Sequence, residues 1–124
     1  MQHEIIRDFI RIEKATALVR DNSLKAYELR GHHYFYLRIL LHQPGINQER
    51  MAELLMVNKS SVARNIARLE EHGIVERMAD GGSFRLHLTE KGRMIIEQAE
   101  GMVREWYTEI FSDLDENDQK ELAG

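Results

Sequence analysis

Residues 58–78 read NKSSVARNIARLEEHGIVERM. The spacing predicts a helix over 59–72. Val62, Ile66 and Leu69 recur at i, i+4 and i+7, which makes one buried face. Ser60, Ser61, Arg64, Asn65 and Arg68 fall on the other side. Asn58 is a favoured N-cap, and Gly73 stands where a helix commonly ends in a left-handed residue. Ile74 to Met78 then form an extended, β-prone run, so a strand follows the helix at once.

Upstream, Asn47 caps a short helix predicted over 48–55, with Met51, Leu54 and Leu55 inward, and 56–58 form a turn. Pro44-Gly45 ends a helix over 31–42, rich in aromatics and leucines, and Ile46 is extended. Downstream, Asp80-Gly81-Gly82-Ser83 reads as a turn and 84–88 alternates as a half-exposed strand, so 74–88 is a hairpin. Thr89 caps a long helix over 90–111, and Leu114-Asp115 opens a last short helix to the chain end. At the N-terminus a helix spans 4–22, followed over 23–30 by a turn with a short helix. The fold class is mainly α: a winged helix-turn-helix with a two-stranded β-hairpin wing. Residues 1–124 form a single domain, with helical segments 1–30 and 90–124 flanking a lobe over 31–89.

The chain has 124 residues, no Cys and a formal net charge of −4. The missing thiol removes disulfides, thiol catalysis and thiolate metal sites. The charge is uneven. Residues 1–45 carry 7 basic and 5 acidic side chains, residues 46–93 carry 8 and 7, and residues 94–124 carry 2 and 9. Acidity thus gathers at the C-terminal end, and a locally basic face can still attract DNA because salt screens distant charge beyond about 10 Å. No stretch has the uninterrupted apolar core of a secretory signal or a membrane span, so a cytoplasmic location is expected, with no membrane partner.

Two short helices joined by a tight turn, the second polar and basic at its start, make a helix-turn-helix. Its inner side is anchored by aliphatics, while its outer side offers donors and acceptors to base edges in the major groove of double-stranded DNA. Lys59, Ser60 and Ser61 sit at the helix N-terminus, where free N–H groups favour phosphate. Arg64 suits guanine, Asn65 suits adenine, and Arg68 suits a base or a phosphate. Gln48 and Arg50 are candidate phosphate contacts, and Arg85 on the wing is a candidate for the minor groove or a phosphate. Taken singly, Arg64 and Arg68 read first as an ordinary solvated i,i+4 face. The joint arrangement of cap, split-faced helix, glycine and hairpin is what points to DNA. The alternative is a winged-helix protein–protein interaction module without DNA binding.

In helix 90–111, Ile95, Ala99, Met102, Trp106 and Ile110 form one stripe, with Ile96, Val103, Tyr107 and Phe111 beside it. Two stripes exceed what one small domain needs to bury, so a second copy of the chain is the expected cover; residues 4–22 of the same chain are the other. Phe9, Tyr34 and Arg38 are candidates for a small-molecule effector site, with plain core packing as the competing account. Adjacent His32 and His33 are expected to diverge, and no His recurs at a spacing of four, so no metal site is expected. No cofactor is implied either. No nucleophile–base pair, Gly-rich phosphate loop or apolar carboxylate pair is present, so an enzyme is not expected.

The run INQERMAELLMVNKSSVARNIARLEEHGIVERMADGG, followed by Leu88-Thr89-Glu90-Lys91-Gly92, resembles the MarR family of bacterial regulators. The matching landmarks include Pro44-Gly45-Ile46, Met51 to Leu55, Leu69-Glu70, Gly73-Ile74-Val75, Arg77 and Asp80, and the likeness spans about 27–111. The resemblance implies a winged helix-turn-helix homodimer whose terminal helices interlock. It implies a DNA-binding transcription regulator, usually a repressor, on a near-palindromic operator, often released by a small aromatic or acidic ligand. Ser60, Ser61, Arg64, Asn65 and Arg68 take the reading positions by that resemblance, and Arg85 the wing position. The segment from Asp80 to Thr89 is shorter than the family's pattern and offers one Arg, and family members continue past the position of Gly124.

Overall fold

The computed structural model describes residues 2–123, with side-chain surroundings as far as Asp113. The element order is α1 (Gln2–Lys25), α2 (His33–His42), α3 (Gln48–Leu55), α4 (Lys59–Glu71), β1 (Val75–Asp80), β2 (Ser83–Leu88) and α5 (Glu90–Ala123). The two strands form one antiparallel hairpin, from Val75 opposite Leu88 to Asp80 opposite Ser83. Ile46 adds a single bridge to Leu86, so the extended residue after Pro44-Gly45 lies along the wing's inner edge.

The reading lobe has its predicted caps. Asn58 Oδ1 accepts from Ser61 N at 2.7 Å, and Asn47 Oδ1 accepts from Arg50 N at 2.8 Å. At the far end of α4, Gly73 takes φ +70°, its N–H bonds Glu70 O, and Ile74 N bonds Leu69 O. That pattern is a Schellman motif, and Leu69 and Ile74, the residues it brings together, are both fully buried. The same glycine therefore stops the helix and aims the chain into the hairpin. Gly81 and Gly82 both have positive φ, so two residues suffice to reverse the wing.

Three sequence expectations need correction. First, α5 does not break before Leu114; it runs as one helix to Ala123. Ser112 and Asp113 are weak helix formers, but no Gly or Pro intervenes, and exposed polar residues are tolerated mid-helix. Second, α1 continues to Lys25 and is followed by a turn rather than a short helix. Third, Met51 is buried and Leu55 packs against the core as expected, but Leu54 is exposed and Ala52 is buried beside Met51. The inward face of this short helix is narrow, and Ala52 occupies it while Leu54 stands at its margin.

The core joins Leu24, Leu37, Leu40, Met51, Val62, Ile66, Leu69, Ile74, Leu86, Ile95 and Ile96. α1 and α2 pack on α5, β2 rests on α2 and α5, and α4 packs on α3 and β1. The first turn of α5 is clamped to the start of the hairpin. Thr89 Oγ1 donates to Gly73 O at 2.6 Å and accepts from Gly92 N, while Thr89 N donates to Ile74 O. Trp106 Nε1 donates to the buried Thr16 Oγ1 at 2.9 Å, tying α5 to α1. Beyond these contacts Ile5, Ile6, Phe9 and Ile10 on α1 and Met102 and Phe111 on α5 stand exposed. Residues 4–22 of the same chain thus do not cover both apolar stripes of α5. Among the described residues, no helix is long and apolar enough to cross a membrane.

Candidate nucleic-acid interface

Burial divides α4 as the sequence pattern requires. Val62, Ile66 and Leu69 are wholly buried, whereas Lys59, Ser60, Arg64 and Arg68 are exposed. Ala63 and Ala67, which the sequence pattern did not single out, are exposed as well. Their small side chains keep the outward face shallow enough for close approach to a groove, and a methyl group can meet a thymine methyl.

The basic side chains differ in how free they are. Arg64 Nη2 rests on Ser61 Oγ at 3.2 Å and has no carboxylate partner among the described residues. Lys59 Nζ lies 2.7 Å from Glu49 Oε1, a contact that raises the lysine's pKa and lowers that of the glutamate. Arg50 pairs with Glu53 at 2.8 Å. On the wing, Arg85 Nε meets Asp80 Oδ2 at 2.5 Å and its Nη1 donates to Gly45 O. These pairs are exposed, and exposed ion pairs exchange readily for a phosphate. Gln48 is half-buried at the start of α3. Arg77, facing Glu70 across the lobe, braces the root of the wing against α4.

Asn65 and Arg68 are turned differently. Arg68 Nη2 donates to Glu28 O at 3.0 Å, in the turn between α1 and α2. Asn65 is half-buried and directed at α2: Nδ2 donates to Ser61 O at 2.9 Å and to Tyr36 Oη at 3.2 Å. Its Oδ1 lies 3.0 Å from His33 Nε2 and 3.1 Å from His32 Nε2. The adjacent histidines, expected to diverge, therefore converge on one oxygen. His32 precedes the helix as its N-cap and His33 opens it, so the two rings fold together with centroids 4.0 Å apart. No sequence spacing announces this cluster, because it depends on how α2 crosses α4.

The effector candidates separate. Tyr34 and Arg38 line a cleft of about 260 Å³ together with His42, Glu100 and Tyr107. Arg38 and His42 both face Glu100, at 3.5 and 3.0 Å. Tyr34 is itself buried, packed edge-on against Phe35, and burial raises its phenol pKa. Phe9 is not part of this cleft and stands on the exposed row of α1. A larger open cleft of about 690 Å³ lies between α1 and the start of α2, lined by Leu18, Arg20, Arg30, His32 and Phe35 among others. Arg20 sits over the Phe35 ring at 4.9 Å.

This architecture, with a capped reading helix, a Schellman turn and a minimal wing on a platform of terminal helices, has close counterparts. Residues 32–86 match the model of the MarR family. The solved structure of the transcriptional regulator SlyA is 30% identical and superposes with a TM-score of 0.75, over 96% of this chain and 86% of that one. The chain belongs to the MarR family. A MarR transcriptional regulator from Methanosarcina mazei Go1 is 26% identical, with a TM-score of 0.78 over 99% of this chain and 84% of that one. The HTH-type transcriptional regulator YybA of Bacillus subtilis is 30% identical over 96 residues, which span 75% of this chain and 64% of that protein. The likeness to this MarR fold covers the reading lobe and the terminal helices alike.

Proposed function

We propose that this MarR-family chain is a sequence-specific transcription regulator, acting as a repressor. It binds a near-palindromic operator as a homodimer, with α4 in the major groove. The observation that carries this reading is the divided α4: three aliphatics fully buried, with Lys59, Ser60, Ala63, Arg64 and Ala67 on its open sides. Arg64 is the principal base reader. Lys59, Ser60 and Ser61 hold phosphate or base at the helix start, Arg68 reaches the backbone, and Gln48, Arg50 and Arg85 make flanking phosphate contacts once their exposed pairs open.

The uncovered apolar rows of α1 and α5 support the homodimer, since a contiguous exposed patch of this kind is what an isologous interface buries. The cleft beside Phe35 supports release by a small aromatic acid. Its apolar walls suit a ring, and Arg20 and Arg30 suit a carboxylate. The test of DNA binding is affinity for duplex DNA across a salt series, with Arg64→Ala beside the wild type. Binding that falls steeply with salt, and is lost on the substitution while the fold persists, supports the reading. Binding indifferent to salt and to Arg64 refutes it and favours the protein-interaction alternative. Stabilisation by none of a panel of aromatic carboxylic acids in a thermal shift refutes the effector reading.

A further inference from the structure

Asn65 lies beside Arg64 on the reading helix, yet its side chain has no free hydrogen-bonding capacity. A primary amide offers two donors and an acceptor oxygen with two lone pairs. Ser61 O can only accept, which fixes Nδ2 on that side and turns Oδ1 to the histidines. Tyr36 Oη takes the second amide proton. His33 Nδ1 accepts from Arg30 N at 3.0 Å, so in the neutral ring the proton sits on Nε2 and points at Asn65 Oδ1. His32 Nε2 supplies the second N–H to the same oxygen. A bidentate contact to adenine requires one free donor and one free acceptor, and none remains.

The partners of this amide outside α4 come from the N-cap and first turn of α2. His33 is buried and bonded in turn to the chain that enters from α1, through Arg30. One turn further along α4, Arg68 bonds Glu28 O in that same connection. The aliphatic anchors Val62, Ile66 and Leu69 hold α4 to the core by a force without direction. Hydrogen bonds have direction, and these fix how α4 is rotated about its own axis.

We propose that Asn65 is a positioning residue for DNA recognition: it touches no base, and clamps α4 to His32, His33 and Tyr36 so that Ser60 and Arg64 enter the groove at a fixed angle. This rests on the DNA-binding reading above. The test compares wild type, Asn65→Ala and Asn65→Asp on the preferred duplex of the wild type and its single-base variants. Asn65→Ala should weaken binding by about tenfold, by a similar factor on every duplex, with the order of preference unchanged. Asn65→Asp keeps acceptors for both imidazole N–H groups but sets a carboxylate oxygen against Ser61 O and adds negative charge near the phosphates, so it should weaken binding as well, again by a similar factor on every duplex with preference unchanged. A base-reading amide behaves otherwise. Its removal relaxes discrimination at one A·T pair, and the carboxylate moves preference there toward cytosine. Either of those results overturns the proposal.

A second measurement is independent of DNA. Nitrogen NMR of the imidazoles should show His33 as the Nε2–H tautomer in the wild type. In Asn65→Ala, amide exchange over residues 61–68 should quicken while α5 keeps its protection. Unchanged exchange in α4 overturns the clamp. A wild type that binds no duplex brings down the DNA-binding reading instead, and the exchange result then decides the clamp by itself.

Discussion

Gly92 should not tolerate alanine, although it lies in the first turn of α5 where alanine is the better helix former. A Cβ built on Gly92 would stand 2.2 Å from Ile74 O, 3.1 Å from Ile74 Cγ2 and 3.1 Å from Leu88 Cδ2, and real Cβ atoms essentially never approach closer than 3.0 Å. The first neighbour is backbone, so it cannot swing aside. Relief requires α5 to draw back from the start of the hairpin, which strains the bonds of Thr89 to Gly73 O and Ile74 O. Two such bonds are worth about 1 kcal/mol each, and overpacking a buried contact adds about 1–3 kcal/mol. Helix propensity returns about 1 kcal/mol. The net expectation is a loss of about 3 kcal/mol, read as a lower urea midpoint at fixed protein concentration. A Gly92→Ala protein as stable as wild type, or more so as propensity alone requires, would refute the reasoning.

Arg64→Ala should weaken duplex binding by about 1–3 kcal/mol and relax preference at one base position, measured by fluorescence anisotropy on single-base variants; an equal loss on all sequences would make Arg64 a phosphate contact. Asn58→Ala removes the acceptor for Ser61 N and should cost about 1 kcal/mol in urea unfolding, with the folded circular dichroism spectrum retained. Acid should weaken the fold through His33. Burial, its neighbour His32 and Arg68 push its pKa from 6.5 down to about 4, against the Asn65 Oδ1 acceptor that raises it. Between those values the unfolded chain binds a proton that the folded chain refuses, so stability falls as pH drops from about 6.5 toward 4. His33→Gln should flatten that part of the pH–stability curve, and an unchanged slope would assign it to other groups.

Much of this molecule is legible in one dimension because its punctuation is local. Asn58 and Gly73 bound α4 through hydrogen bonds within a few residues, and Gly81-Gly82 closes the wing by backbone freedom alone. The burial of Val62, Ile66 and Leu69 follows from period as directly. What the sequence hides is set by crossing elements. Leu54 has the spacing of a core residue but stands at the margin of α3. Asn65 shares a helix face with Arg64 by period, yet α2 crosses just there and takes its amide. Ser112 and Asp113 resemble a helix boundary, and only the continuous backbone of α5 shows otherwise. The requirement for glycine at 92 is likewise invisible until Ile74 O is found against it.

The most direct test of the central claim is selection from random DNA duplexes at near-physiological salt, followed by sequencing. A homodimer presenting two copies of α4 should enrich an inverted repeat with half-sites about one helical turn apart, roughly 34–36 Å centre to centre. A folded protein that enriches no sequence, or only a single unrepeated half-site, would contradict a dimeric operator-binding regulator.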